Sequence, residues 1–188
     1  MKNHRPGFTL IELLIVIAII GFLAAAILVA VDPVKRIQDA RNAKRWSEVN
    51  AILNAILNKQ VDDRAIYDGE TSAPIITDTS VNGDGFSQVI VRDDAGVVCT
   101  SNATAPFCFG QNVDYTGAKT CVANIKGIVP IWVSELPIDP KGVGQVPDTG
   151  YLPLGNKNTG YYLHRTNGNR IEIGACRPDQ GAVIRVRR

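Results

Sequence analysis

The chain has 188 residues, of which 45% are hydrophobic and 20% are charged, and its formal net charge at pH 7 is +2. This composition excludes collagen-like and intrinsically disordered proteins, and the length favours one globular domain. However, 21 of the 24 residues from Phe8 to Val31 are apolar, whereas the remainder is polar and rich in Gly and Pro. A simple cytosolic enzyme is therefore disfavoured.

The positive net charge comes from the first residues of the chain. Lys2 and Arg5 precede the apolar run, and without these two the 20 Lys and Arg become 18, against 18 Asp and Glu. The charge balance therefore does not predict a nucleic-acid partner.

The apolar run has the length of a membrane-spanning helix. Leu13 to Val31 are 19 residues without a charge, and with Phe8 to Glu12 they would form a helix of roughly 36 Å, enough to cross a hydrocarbon core of about 30 Å. A secretory signal peptide cleaved after Ala24-Ala25-Ala26 is the alternative, but its apolar run is only about 7–15 residues. The run also contains Glu12, a carboxylate that costs about 2.5–3.5 kcal/mol to insert and therefore indicates a function.

The residues that lead to this glutamate form a recognisable motif. Gly7-Phe8-Thr9-Leu10-Ile11-Glu12, followed by the apolar helix, resembles the processing motif of type IV pilins and type II secretion pseudopilins. The resemblance extends from Arg5 to about Lys59. It implies that a prepilin peptidase cuts after Gly7 and methylates the new N-terminus at Phe8, and that Glu12 acts in assembly.

The resemblance also implies a location and a set of partners. The precursor would lie in the inner membrane with its head outside, and the inner-membrane assembly machinery would add it to a homo-oligomeric extracellular filament. Adhesion and secretion are roles of such filaments. The sequence shows no nucleophile–base motif, P-loop or dinucleotide fingerprint, so we expect no enzyme.

Cleavage after Gly7 would give Glu12 a specific partner. The new α-amine has a reference pKa near 8, and neither this cation nor the carboxylate is stable alone in lipid or in a packed filament core. We therefore expect Glu12 of one subunit to pair with the N-terminal amine of the next.

A second helix should follow the apolar run. Asp32-Pro33 is typical of a helix start, which predicts a kink between Val31 and Val34. Many family members carry a proline where this chain has Val29, and Gly21 is either a flexible point or a site of close helix packing. The amphipathic helix should end between Lys59 and Asp63. Its apolar stripe consists of Val49, Ile52, Leu53, Ile56 and Leu57, extended by Ile37 and Ala40.

The resulting organisation is a cleaved leader (residues 1–7), a membrane or filament-core helix (8–31), an amphipathic helix (32–63) and a head (64–188). We expect the charged helix face from Lys35 to Glu48 to be solvated or to pair between subunits. The head should be an α+β domain with an antiparallel sheet against the helix, and Asn167-Gly168 predicts a hairpin turn. The strands are predicted at residues 88–92, 97–100, 161–165, 170–175 and 182–187, with residues 161–164 half-buried.

All four cysteines, Cys99, Cys108, Cys121 and Cys176, lie in the head. An exported domain favours two disulfides, and four cysteines allow three connectivities. We predict Cys99–Cys108 and Cys121–Cys176. A zinc site is not expected, because no CxxC pair occurs and His164 would be the only histidine after cleavage.

Calcium is the one metal for which the head offers a candidate site. Leu136-Pro137-Ile138-Asp139-Pro140 resembles a turn of some pseudopilins whose following loop holds calcium, which makes Asp139 and Asp148 candidate ligands. The alternative is that the prolines fix a bend that Asp139 caps. Asn82-Gly83-Asp84-Gly85 lacks the flanking acids of a calcium loop and is interpreted as a turn.

Three functions remain open at this point. A pilus subunit is favoured over a secretion pseudopilin, because the Thr/Asn/Gly-rich surface and the predicted disulfides suit an exposed fibre. A membrane-anchored or secreted binding module that never polymerises is the third. A mature N-terminus at methylated Phe8 would support a filament subunit, a start near Ile27 would support ordinary secretion, and an intact Met1 would support a signal anchor, whereas filaments visible outside cells would separate a pilus from a pseudopilus. DNA binding by Arg185, Arg187 and Arg188 is a weaker alternative to a solvated strand face.

Overall fold

The computed structural model describes residues 7–75, 77–78, 87–95, 121–142 and 157–188. Two compact units share the chain, one ending at Asp39 and the other beginning at Ala40. The long helices are α1 (Leu10–Val31) and α2 (Pro33–Asp63). The strands of the described residues are β1 (Gly69–Glu70), β2 (Ala73–Pro74), β3 (Thr77–Asp78), β4 (Ser87–Val91), β5 (Val122–Asn124), β6 (Asn158–Thr166), β7 (Ile171–Ala175) and β8 (Arg185–Arg187).

The helices are separated by a local break at Asp32, as predicted. Asp32 has a left-handed backbone conformation (φ 42°, ψ 78°), and its Oδ1 accepts a hydrogen bond from the Lys35 N–H at 3.2 Å. Pro33 occupies the first position of α2, where its missing N–H costs no helical hydrogen bond. In contrast, α1 continues without interruption through Gly21 and Val29.

The predicted apolar stripe forms the helical side of the core. Val49, Ile52, Leu53 and Ile56 are fully buried and Leu57 is partly buried. Complete burial of such side chains contributes about 1.5–3 kcal/mol each. The predicted extension was wrong, because Ile37 and Ala40 are exposed. Helical spacing indicates which face of a helix is apolar but not how far the partner surface extends.

The sheet confirms the α+β class. Its strand order is β5-β4-β6-β7-β8, and β3 pairs with the end of β6. The pairs β4–β6, β6–β7 and β7–β8 are antiparallel. However, β4–β5 and β3–β6 are parallel, so the sheet is mixed rather than purely antiparallel.

The hairpin between β6 and β7 confirms the predicted turn. The Thr166 N–H donates to the Arg170 carbonyl at 3.0 Å, and Asn169 takes up a positive φ of 58°. The strands predicted at 88–92, 161–165 and 170–175 are present within a few residues, the last predicted strand shortens to β8, and residues 97–100 lie outside the described part. The expected half-burial was wrong, since both faces of β6 are buried. β5 was not predicted because three residues are too few for a periodic pattern.

A buried arginine corrects the interpretation of the charged helix face. Arg45 is fully buried in the core, and its guanidinium binds Asp139 through Nε at 2.6 Å and Nη2 at 2.8 Å. Its Nη1 donates to Asp179 at 2.8 Å and to Asn42 at 2.7 Å. Because Arg45 lies four residues before Val49, it belongs to the buried side of α2 and not to a solvated face.

Asp139 reaches this arginine because of a glycine in the neighbouring strand. Gly160 has φ +80°, and a Cβ there would lie 2.7 Å from Cβ of Asp139. The Asp139 N–H donates to the Thr159 carbonyl at 2.8 Å, which ties the proline-rich segment to β6. A larger residue at position 160 would therefore displace one partner of the buried ion pair.

The second carboxylate of the cluster is held in its charged form. Burial alone would raise the pKa of the Asp179 carboxyl, but hydrogen bonds from Arg45, Lys141 and Arg41 outweigh it and keep the pKa well below its usual range. The Lys141 Nζ and Arg41 Nε lie 2.6 and 2.9 Å from its oxygens. This cluster joins α2 to two loop segments of the head.

Replacing Arg45 should destabilise the head strongly. Arg45→Met leaves Asp139 without its guanidinium partner in the core, and removal of one partner of a buried pair costs about 3–5 kcal/mol. Lys44→Met is the matched control, because the Lys44 side chain is 59% exposed and surface changes usually stay within about 0.5 kcal/mol. Urea unfolding of the full chain in detergent measures both; equal stability of the two variants would contradict the role of Arg45.

Candidate functional site

The predicted processing site lies in an exposed segment before α1. Gly7 and Phe8 precede the helix, Phe8 is 85% exposed, and Thr9 has an extended backbone (φ −82°, ψ 151°). Among the residues that the structure describes, no atom lies within 4 Å of the position that a Cβ would occupy at Gly7. Packing within the chain therefore does not require glycine there, and the bond after Gly7 is accessible.

Glu12 is held by a capping box at the start of α1. Its Oε2 accepts hydrogen bonds from the Thr9 N–H at 2.8 Å and from the Thr9 hydroxyl at 2.7 Å. The Glu12 N–H donates to the Thr9 Oγ1 at 3.3 Å. The capping role of Thr9 was not predicted, although Thr-x-x-Glu before an apolar run is the signal for this arrangement.

The rest of α1 presents an apolar surface that the chain does not cover. None of its 22 residues is buried, and the helix is long and apolar enough to cross a membrane. A helix that is apolar on all sides is stable only inside a protein core or a membrane. Glu12 therefore stands one turn into a helix that needs an apolar environment.

Comparisons with known proteins agree with the motif. Residues 2–28 match the family described as "Prokaryotic N-terminal methylation motif". The chain is also 34% identical over 104 residues to a protein of Moraxella bovis named "Type IV major alpha-pilin". The resemblance to the type IV pilin family is confirmed.

The pilin comparison has a limited extent. It covers 55% of this chain, and the chain spans about half (54%) of the pilin's length. No solved structure matches the chain. The comparisons therefore support the N-terminal resemblance most directly.

The candidate calcium ligand Asp139 has another role in the structure. Both of its oxygens bind Arg45, and its Oδ1 also accepts the Lys141 N–H at 2.9 Å, as expected for the residue that caps a bend. A guanidinium on the same carboxylate disfavours a calcium ion. Asp148 lies outside the described residues, within which no group of three or more His, Cys, Asp or Glu side chains is arranged to hold a metal.

Two of the C-terminal arginines considered for DNA binding lie beside a buried carboxylate. Arg187 binds the Glu172 carboxylate at 2.7 Å, and Arg185 lies 3.8 Å from it. Both arginines are about half exposed. Their charges are thus partly neutralised within the sheet, which supports the interpretation as a strand face.

The cysteines in the described residues contradict the predicted pairing. Cys121 and Cys176 are both buried and disulfide-bonded. Cys121 directly precedes β5 and Cys176 directly follows β7, and β4 and β6 lie between these strands. Three strand spacings of about 4.8 Å separate them by roughly 14 Å, whereas the Cα atoms of a disulfide lie about 4.4–6.8 Å apart. The pair Cys121–Cys176 was therefore wrong.

Peptide mapping under non-reducing conditions should confirm this correction. Cys99 and Cys108 lie outside the described residues, and they are the remaining cysteines of the chain. We expect one of them to be linked to Cys121 and the other to Cys176. Mapping should use the monomeric band, so that links between chains are excluded; a Cys121–Cys176 peptide would contradict the strand order.

Proposed function

We propose that the chain is the structural subunit of a type IV pilin-like filament, cut after Gly7 by a prepilin peptidase. The observation that carries the proposal is Glu12 at the start of an uncovered apolar helix, directly after an accessible processing site. The methylation-motif match and the similarity to a named major pilin support it.

The exposed surface of α1 requires one environment before assembly and another after it. In the precursor the lipid chains of the inner membrane cover the apolar side chains, and in the filament the α1 helices of neighbouring subunits replace the lipid. Gly21 fits such packing, because no atom of the described part of the chain lies within 4 Å of the position of a Cβ there. Small residues allow helices to approach closely in an apolar medium.

Glu12 supplies the polar contact that sets the register of subunits. Thr9 binds only Oε2, and within the described residues no hydrogen bond to Oε1 occurs. The second oxygen is thus open to the amine that cleavage creates at Phe8 of a neighbouring subunit. Such a pair is strong only in one axial position, because displacement leaves both charges in an apolar medium.

A pilus is favoured over a secretion pseudopilus. The similar protein is named a major pilin, whereas the disulfide-bonded cysteines fit an exported head of either kind, since the periplasm is also oxidising. In this proposal the inner-membrane assembly machinery extracts the processed subunit, and the extracellular filament is its final location.

Glutamate variants separate the charge of Glu12 from its capping role. Glutamine also serves in a capping box, so Glu12→Gln should keep α1 intact, be processed and inserted normally, and yet form no filaments; Glu12→Ala should behave in the same way. Thr9→Val removes the hydroxyl that caps α1, a loss of about 1 kcal/mol, but keeps the charge and should still form filaments.

Electron microscopy of sheared surface fractions measures assembly, and the mass of the membrane-bound subunit measures processing. Normal filaments from Glu12→Gln would refute the proposed pair. Loss of filaments in Thr9→Val together with normal filaments in Glu12→Gln would show that the cap, and not the charge, is the essential feature.

A further inference from the structure

A cavity lies at the junction of the two helices. Its volume is about 410 Å³, and it lies between the last turn of α1 and the first two turns of α2. The described residues that line this junction cavity all belong to the first compact unit. They are Ala30, Val31, Asp32, Lys35, Arg36 and Asp39.

Two cations of this cavity differ from those that follow in α2. Arg41, Lys44 and Arg45 each form an ion pair with a carboxylate of the second unit. In the described part of the chain, no ion pair involves Lys35 or Arg36. The basic run after the apolar helix thus divides into two groups. Three cations form ion pairs within the second unit, and two line the junction cavity.

The two acids of the cavity lie on either side of these cations along the chain. Asp32 precedes them, and its Oδ1 accepts the Lys35 N–H at 3.2 Å and so caps α2. Asp39 follows Arg36 by three residues, about 4.5 Å further along α2 at the helical rise. The order away from α1 is therefore an apolar end, the capping carboxylate of Asp32, two cations and then the carboxylate of Asp39.

The position of the cations matches one layer of a membrane. α1 has 22 residues, which give a helix of about 33 Å, close to a hydrocarbon core of about 30 Å. Lys35 and Arg36 follow the last residue of α1 by only four and five residues, across the break at Asp32. The polar headgroup layer is about 5–8 Å thick on each side, so a membrane-spanning α1 would place both cations within or next to this layer.

We propose that Lys35 and Arg36 bind the phosphate of an anionic phospholipid whose headgroup occupies the junction cavity. The acyl chains of that lipid lie along the apolar surface of α1, and its phosphate receives hydrogen bonds and charge from the two side chains. The inference rests on the membrane-anchored precursor of the proposed function and is independent of filament formation.

Lipid titration of the full chain in neutral detergent tests the site. Native mass spectrometry measures the binding of phosphatidylglycerol, with phosphatidylcholine as the zwitterionic comparison. Each cation near an anionic lipid surface contributes about fivefold, so Lys35→Gln with Arg36→Gln should lower the affinity for phosphatidylglycerol roughly thirtyfold. Lys44→Gln with Lys126→Gln removes the same charge at exposed positions outside the cavity and should leave the affinity unchanged.

Four results would overturn the site: equal binding of phosphatidylglycerol and phosphatidylcholine, wild-type affinity in the cavity variant, an equal loss in the control variant, or displacement of phosphatidylglycerol by an equal concentration of inorganic phosphate. Displacement would indicate an anion site without lipid specificity. Carbonate extraction of membranes carrying each variant separates this test from the proposed function. A wild-type chain released by carbonate would overturn the membrane anchor itself, whereas a retained chain without lipid preference overturns only the junction site.

Discussion

The structure depends on one constraint: a 22-residue apolar helix that the chain leaves entirely uncovered. Water is an unfavourable medium for such a surface, since each fully buried aliphatic side chain is worth about 1.5–3 kcal/mol. The helix must therefore remain in lipid or pack against other apolar helices. The charged Glu12 side chain would be less stable in lipid than in a filament, because lipid offers the carboxylate no partner, whereas a neighbouring processed subunit would offer an amine.

The capping box explains how an unassembled chain tolerates this glutamate. Thr9 donates two hydrogen bonds to one carboxylate oxygen of Glu12, and its hydroxyl accepts the Glu12 N–H, so the start of α1 is ordered without a second subunit. This arrangement reduces the cost of the charge without neutralising it. Assembly would remove the remaining free-energy cost of the Glu12 charge in lipid. The exchange of lipid for neighbouring helices would therefore be favourable.

The head is organised around a different polar contact. Arg45 joins α2 to Asp139 and Asp179, which lie 94 and 134 residues further along the chain. Gly160 makes room for the first of these carboxylates. Around this cluster the apolar stripe of α2 packs on the sheet, so the helix is fixed to the head by both apolar contacts and buried charge.

Local patterns predicted the features that depend on neighbouring residues. Asp32-Pro33 indicated the helix break, the stripe from Val49 to Ile56 indicated the buried face, and Asn167-Gly168 indicated the hairpin. Features that depend on distant residues were not predictable in this way. The buried role of Arg45 and the parallel pairing of β5 depend on partners far along the chain, and the separation of Cys121 from Cys176 depends on the strand order. Thr9 is the exception, since its capping signal was local and was overlooked.

The mass and N-terminal sequence of the mature subunit, taken from the cells that make it, test the central claim most directly. We expect a mature chain that begins with N-methylated Phe8. A mature chain that begins near Ile27, or one that retains Met1, would contradict it, because in both cases no amine would exist one helical turn from Glu12.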